Sequence, residues 1–391
     1  MRILLIVHSV AWKGGGAFFH ALHIAKGLVE FGHCVDVMAT SQNSILKVKK
    51  NQIDSVQLLE FPDLLIGQAR NGWDLYNTFR RIFFLLSNSY DVVHLLDTRP
   101  VVIFPGLFSK YIKKSKLIIE WLDWFGKGGT ATERNKYLRF FMVPIESFFE
   151  EKFRKFADGS IGLGSPLTER IKKYAPVSPY ITITHGCDTR SIIKINRNKA
   201  RQELGLKMDA YYLGYTGRMR EDVIIRLSSI IKYLIKKIDQ KNIYCLLIGN
   251  PAFNYGHFVE DNIKQNFIST GWVEYIEINK YMCAADILIL PFDSESIARN
   301  GIWPSKFNDY LSVGRPIIST KLKVLEKIFA EEKIGFMVED EIEKISKKII
   351  YLFKQAEIAD MYGENARKLA ETKYNWENII NQINDFYSRI L

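Results

Sequence analysis

Short apolar runs alternate with longer segments of helical period nearly from one end of the chain to the other. This is the pattern of parallel strands covered by helices on both faces. Arg2 to Val7, Cys34 to Ala39, Val92 to Leu96, Leu117 to Trp121, Gly159 to Leu163 and Tyr180 to Thr184 read as strands, with helices between them, notably Ala17 to Glu30 and Tyr137 to Phe156. Between Gly186 and about Leu204 the chain turns polar and basic, and the pattern then restarts. Ala210 to Tyr215, Tyr244 to Ile248, Asn266 to Ile268, Ile287 to Leu290 and Pro316 to Ser319 are the strands of this second series. The fold class is therefore α/β, with two Rossmann-like domains expected over residues 1–186 and 187–373. Two such halves are expected to face a central cleft, with ligands at the carboxyl ends of the strands. The remaining segment, 374–391, holds a last helix, Trp376 to Ile390. It is expected either to cap the second domain or to pack back on the first.

A length of 391 residues with 47% hydrophobic and 25% charged residues agrees with two ordinary globular cores. The longest apolar stretches, Arg81 to Leu86 and Val101 to Phe108, fall well short of the roughly 20 residues of a membrane-spanning helix. Met1 to Val10 leads straight into a glycine loop and reads as a buried first strand, not a leader. Cys34, Cys187, Cys245 and Cys283 are far apart without metal-ligand spacing, and are expected to be buried free thiols. A formal charge of +11 suits an anionic partner: nucleic acid, a nucleotide diphosphate or an acidic membrane surface. The basic residues decorate helices of both halves and do not interleave with aromatics on one sheet face, which argues against nucleic acid.

Three motifs carry candidate chemistry. Gly14-Gly15-Gly16 follows the first strand and opens a helix, so its backbone N–H groups can approach a phosphate or simply make a tight turn. The Gly-x-Gly-x-x-Gly spacing of a dinucleotide fingerprint is missing. In the second half, Gly217-Arg218 places a guanidinium just beyond a strand, where it reaches either a diphosphate or Glu221 and Asp222. Finally, the strand ending at Pro291 is followed by a polar loop and a helix starting near Pro304, whose positive end favours phosphate. Asp309 lies one turn into that helix, placed for ribose hydroxyls, and Gly314 ends it.

These residues resemble those of the retaining family-4 glycosyltransferases (glycosyltransferase group 1) of GT-B fold. Gly217-Arg218, Gly271-Trp272-Val273, Ala285-Asp286 with Pro291, and Lys306 to Ile317 match the family's second domain. Gly14 to Gly16 and His185-Gly186-Cys187-Asp188 match its glycine loop and hinge. The resemblance implies transfer of a sugar from a nucleotide-diphosphate-sugar donor to a hydroxyl acceptor, with retention and without metal or other cofactor. It implies Arg218, Asp309 and Asp123 as catalytic residues. Substrate contacts are expected from Gly14, Gly15, Gly16, His20, Glu120, Gly217, Gly249, Trp272, Val273, Glu295, Gly301, Ser305 and Lys306.

Three departures from the family pattern stand out. Its glutamate pair becomes Gly301 and Asp309, leaving Glu295 or Asp293 as substitutes on the same loop. The lysine that follows the phosphate arginine is absent, with Arg220 and Arg226 as stand-ins. The histidine after the fourth strand is replaced by Glu120-Trp121-Leu122-Asp123-Trp124, leaving Asp123 as the polar group. Epimerase or phosphorylase chemistry on the same fold, or an inactive binding module, are the competing readings. The acceptor is expected to be a glycan, a lipid-linked species or a small molecule, and the protein cytoplasmic. Aromatic residues mixed with Lys and Arg in Tyr76 to Leu86 and Tyr137 to Phe156 either pack a core or rest peripherally on the inner face of an anionic membrane.

Overall fold

The computed structural model describes the chain apart from residues 13–15, 65–71, 134, 218, 239–241, 251–252 and 293–302, and the side chains of residues 133, 275 and 276. It divides into two compact units, one built on Met1–His185 and Trp376–Leu391, the other on Gly186–Arg299 and Pro304–Asn375.

In the first unit the strands are β1 (Arg2–Val10), β2 (Cys34–Thr40), β3 (Lys49–Ile53), β4 (Val56–Phe61), β5 (Val92–Leu95), β6 (Lys116–Trp121), β7 (Gly159–Leu163) and β8 (Tyr180–Ile183). Their order in the sheet is β3-β4-β2-β1-β5-β6-β7-β8. Only β3 pairs antiparallel, to β4. The inner strands are uninterrupted apolar runs because helices cover both faces, as in β1, where Ile3 to Val7 are fully buried. β3 and β4 were missed in the sequence because β3, Lys-Lys-Asn-Gln-Ile, is almost wholly exposed at the sheet edge and has no apolar pattern. The order reverses between β1 and β5, so the ends of these two strands flank the switch point where doubly wound sheets take ligands.

The second unit carries β9 (Tyr211–Thr216), β10 (Ile243–Ile248), β11 (Phe267–Ser269), β12 (Ile287–Leu290), β13 (Ile317–Thr320) and β14 (Gly335–Val338), all parallel, in the order β11-β10-β9-β12-β13-β14. Its switch point lies between β9 and β12. Asp286 fixes the opposite, amino end of this sheet: its carboxylate accepts from Arg201 (2.6 Å), Arg197 (2.8 Å) and the backbone N–H of Tyr212 (2.7 Å). That clamp accounts physically for an Ala-Asp pair at this point of the sequence.

The helix Trp376–Ile390 belongs to the first unit, where its Tyr387 hydroxyl lies 2.6 Å from His94 Nδ1. The cysteine expectation needs one correction. Cys187, Cys245 and Cys283 are buried, but Cys34 is exposed because it opens β2 at the rim of the sheet.

Candidate functional site

Two groups of side chains gather at the carboxyl ends of the strands, one in each unit. In the second unit β9 ends at Thr216 and the chain turns at Gly217, whose φ of 92° is one that side-chain-bearing residues rarely adopt. Gly249 turns similarly after β10, with φ 129°. A Cβ there would sit 3.1 Å from the Gly217 carbonyl oxygen, so Gly249 is held to glycine by its φ and by close backbone approach, and Gly217 by its φ. Above this turn stands Lys306, from the second position of the helix Ser305–Val313. Its ammonium donates to the Tyr215 hydroxyl (2.7 Å), lies 4.0 Å from the centre of the Tyr215 ring and 5.3 Å from that of Phe292. It also comes within 3.5 Å of where a Gly217 side chain would begin. Burial pulls Lys306 down to about 7, with Asp309 acting in the opposite direction.

The surrounding frame is tightly tied. The Tyr310 hydroxyl accepts from the Thr216 N–H (3.0 Å), which pins the helix to the end of β9. The Phe292 carbonyl, at the exit of β12, accepts from Thr320 (2.8 Å) and Arg226 (3.2 Å). Arg226 is also paired with Asp340, and Arg220 with Asp222 at 2.9 Å. Both arginines expected as stand-ins for the family lysine therefore have acidic partners of their own, whereas the Lys306 ammonium faces the strand-end turn. Ser305 is exposed at the start of its helix, Asp309 is half-buried one turn further on, and Trp272 is exposed beside the Gly271 turn, with Val273 following it half-buried. Arg218, Glu295 and Gly301, like Asp293, lie outside the described residues.

In the first unit His20 and Glu120 are brought together in the core. His20 Nε2 is 2.8 Å from Glu120 Oε1, and its Nδ1 is 3.0 Å from His185 Nδ1, so both ring nitrogens are engaged within the protein. His94 Nε2 lies 3.1 Å from the other Glu120 oxygen. Burial works to raise Glu120, but His20 and His94 outweigh it and hold the carboxyl far below its ordinary range. Burial in turn drives His185 down to about 3. Gly16 opens the helix Gly16–Glu30 with open space around its α-carbon, while Gly14 and Gly15 lie outside the described residues.

Sequence reading singled out Asp123 here and passed over the pair beside it. His8, near the end of β1, contacts Asp97 through Nδ1, across the switch point. Asp97 also accepts from the Arg99 N–H at 2.8 Å. Burial would raise Asp97, yet His8 and Arg99 hold it below its ordinary value. Arg99 is buried, paired with Glu146 at 3.0 Å and 3.9 Å over the Phe125 ring. Asp123 shares this electrostatic neighbourhood: burial raises it, while His8 and Arg99 pull it down. No local motif marks His8 or Asp97. Only the strand order makes them neighbours, although a polar residue at each of two adjacent strand ends was a usable signal.

Residues 210–355 match the family model described as Glycosyl transferases group 1. An uncharacterized glycosyltransferase of Methanocaldococcus jannaschii is 20% identical over 274 residues, which are 64% of this chain and 66% of that protein. Among solved structures, sucrose-phosphate synthase from Thermosynechococcus elongatus superposes with a TM-score of 0.72 at 15% identity, covering 100% of this chain and 99% of the other. The Anabaena protein HepE, in complex with UDP and glucose, gives 0.69 at 15% identity with 100% of both chains covered. Residues 210–355 are thus a glycosyl transferases group 1 domain, carried in a chain that has the GT-B fold of glycosyltransferases.

Proposed function

We propose that the protein transfers a glycosyl group from a nucleotide-diphosphate sugar to a hydroxyl acceptor, and that the second unit holds the donor. The observation that carries this reading is the Lys306 ammonium above the Gly217 turn, at the switch-point end of β9 in the group 1 domain. A cation over a side-chain-free glycine turn leaves room for a diphosphate to approach, and Arg218, which follows Gly217 directly, adds a second positive charge. Similar folds have been captured with UDP and with ADP, which supports a nucleotide diphosphate as the ligand class.

As the sugar leaves, negative charge grows on the diphosphate. Lys306, Arg218 and the amino end of the Ser305–Val313 helix stabilise it there without a metal ion. Asp309 takes the ribose hydroxyls. On the first unit the His8–Asp97 pair and Asp123 orient the acceptor: the carboxylate fixes the imidazole and leaves Nε2 to accept from a neighbouring hydroxyl of the acceptor, so that the attacking hydroxyl keeps its own proton for the leaving phosphate. Retention of anomeric configuration, as the family resemblance implies, places the departing proton on the leaving phosphate. The test is nuclear magnetic resonance of the sugar released from UDP-glucose and ADP-glucose. Early product with the donor's anomeric configuration is expected, and early product of inverted configuration would overturn the retaining course.

A further inference from the structure

The helix Lys136–Lys152 is anchored at one end and bare at the other. Its C-terminal half is fixed by buried groups: Glu146 pairs with Arg99, and Glu150 accepts from the N–H groups of Phe125 (2.8 Å) and Gly126 (2.7 Å). Phe149 packs edge-on against Trp73 at 5.1 Å. The N-terminal half lacks such buried anchors, and all six residues from Lys136 to Phe141 are exposed. Tyr137 is 82% exposed, Phe140 74% and Phe141 66%. Soluble surfaces rarely carry so many adjacent large apolar side chains without a partner.

We infer that this projecting end is a docking surface for an anionic lipid bilayer. From Asn135 to Ile145 there is no acidic residue, while Lys136 and Arg139 flank the aromatic side chains. Aromatic and basic residues together on one helix end match the boundary between acyl chains and anionic headgroups: the rings enter, and the long cationic side chains reach back to the phosphates. A second copy of the chain is a poorer occupant, because a two-fold contact through this segment would gather four cations and no carboxylate from it in one interface. From Lys136 to Phe148 the helix is about 20 Å long, too short for the about 30 Å hydrocarbon core, so it lies in the interface. Among the described residues no helix is long and apolar enough to cross a membrane. In the same unit the helix Leu75–Leu86 exposes a second stripe, Leu75, Phe79 and Phe83, at four-residue spacing on one face.

This inference goes beyond the transferase reading and fails independently of it. The full-length protein is sedimented with vesicles of phosphatidylcholine, alone or mixed with phosphatidylglycerol. Binding to the mixed vesicles that weakens as salt rises is expected, together with little binding to phosphatidylcholine alone. Phe140→Ser with Phe141→Ser, both at exposed positions, should reduce that binding at least about tenfold, as should Lys136→Glu with Arg139→Glu. Thermal stabilisation by UDP or ADP is measured on the same variants and should equal that of the parent protein. Protein that stays in the supernatant with every vesicle overturns the inference. So does unchanged vesicle binding by the Phe140/Phe141 variant, or light scattering that shows a dimer which this variant dissociates.

Discussion

Lys306 donates to the Tyr215 hydroxyl at 2.7 Å while its ammonium also sits 4.0 Å from the centre of the same ring. A phenol hydroxyl and a ring face stabilise an ammonium less than water or a carboxylate does. Burial consequently brings the group down to about 7.

A nucleotide diphosphate beside Lys306 should restore its proton. Binding of UDP or ADP is therefore predicted to take up a proton above about pH 7 and to weaken as pH rises from there. Calorimetry in buffers of different ionisation heat measures the uptake. The same group shapes stability. Its folded value lies below the unfolded one, so from about 7 up to the ordinary lysine range the unfolded chain binds more protons and stability rises with pH. Lys306→Met should remove both the proton uptake and the slope, and should weaken nucleotide binding by roughly ten- to a hundredfold, the range of a lost hydrogen bond to a charged group.

Asp309 and Arg218 act on different parts of the donor. Asp309→Ala should raise the apparent Michaelis constant for the donor, because a ribose contact is similar before and during reaction. Asp309→Glu should keep most of the activity. Arg218→Ala should lower turnover by roughly a hundredfold, the loss typical of one electrostatic stabiliser. Steady-state kinetics with the donor varied separates the two effects. Equal loss in Asp309→Glu and Asp309→Ala would remove the ribose assignment.

Most of the strands that built these expectations were legible because they lie inside their sheets and read as continuous apolar runs, while the edge strands β8 and β11 are short and only partly apolar. β1 to β2 and β5 to β8 are recovered within a few residues, as are β9 to β13 in the second unit. Gly217 and Gly314 were legible too, since both have positive φ where a turn or a helix end demands it. What could not be read was long-range pairing. Arg226 meets Asp340 from 114 residues away, a partner no local spacing announces. His94 meets Tyr387 across 293 residues. His8 and Asp97 become neighbours only because β1 and β5 are adjacent in the sheet.

The His94–Tyr387 contact predicts a stability effect confined to the first unit. Tyr387→Phe removes the hydroxyl and strands a ring nitrogen in the core, at a cost of about 1–3 kcal/mol. Chemical denaturation followed by fluorescence checks this, and UDP or ADP binding should not change. Glu120 adds a pH signature. Its folded value lies far below the unfolded one, so the stability it contributes is present above the ordinary carboxylate range and is lost as pH falls below about 4.5. Glu120→Gln should flatten the acid limb of the stability profile.

If Lys306, Arg218 and helix-end amides meet the diphosphate charge, no divalent ion is needed there. Transfer or donor hydrolysis is predicted to continue in excess EDTA. Complete loss with EDTA and recovery on adding magnesium would contradict that part of the account.

The most direct test is calorimetric titration of the folded protein with UDP and with ADP, alongside a variant carrying Arg218→Ala and Lys306→Met together. The account predicts saturable binding of at least one nucleotide by the parent protein, and binding at least about a hundredfold weaker in the variant, which should still unfold cooperatively on heating. Binding of either nucleotide with parent affinity by the double variant, or binding of neither by the parent protein, would place the donor elsewhere.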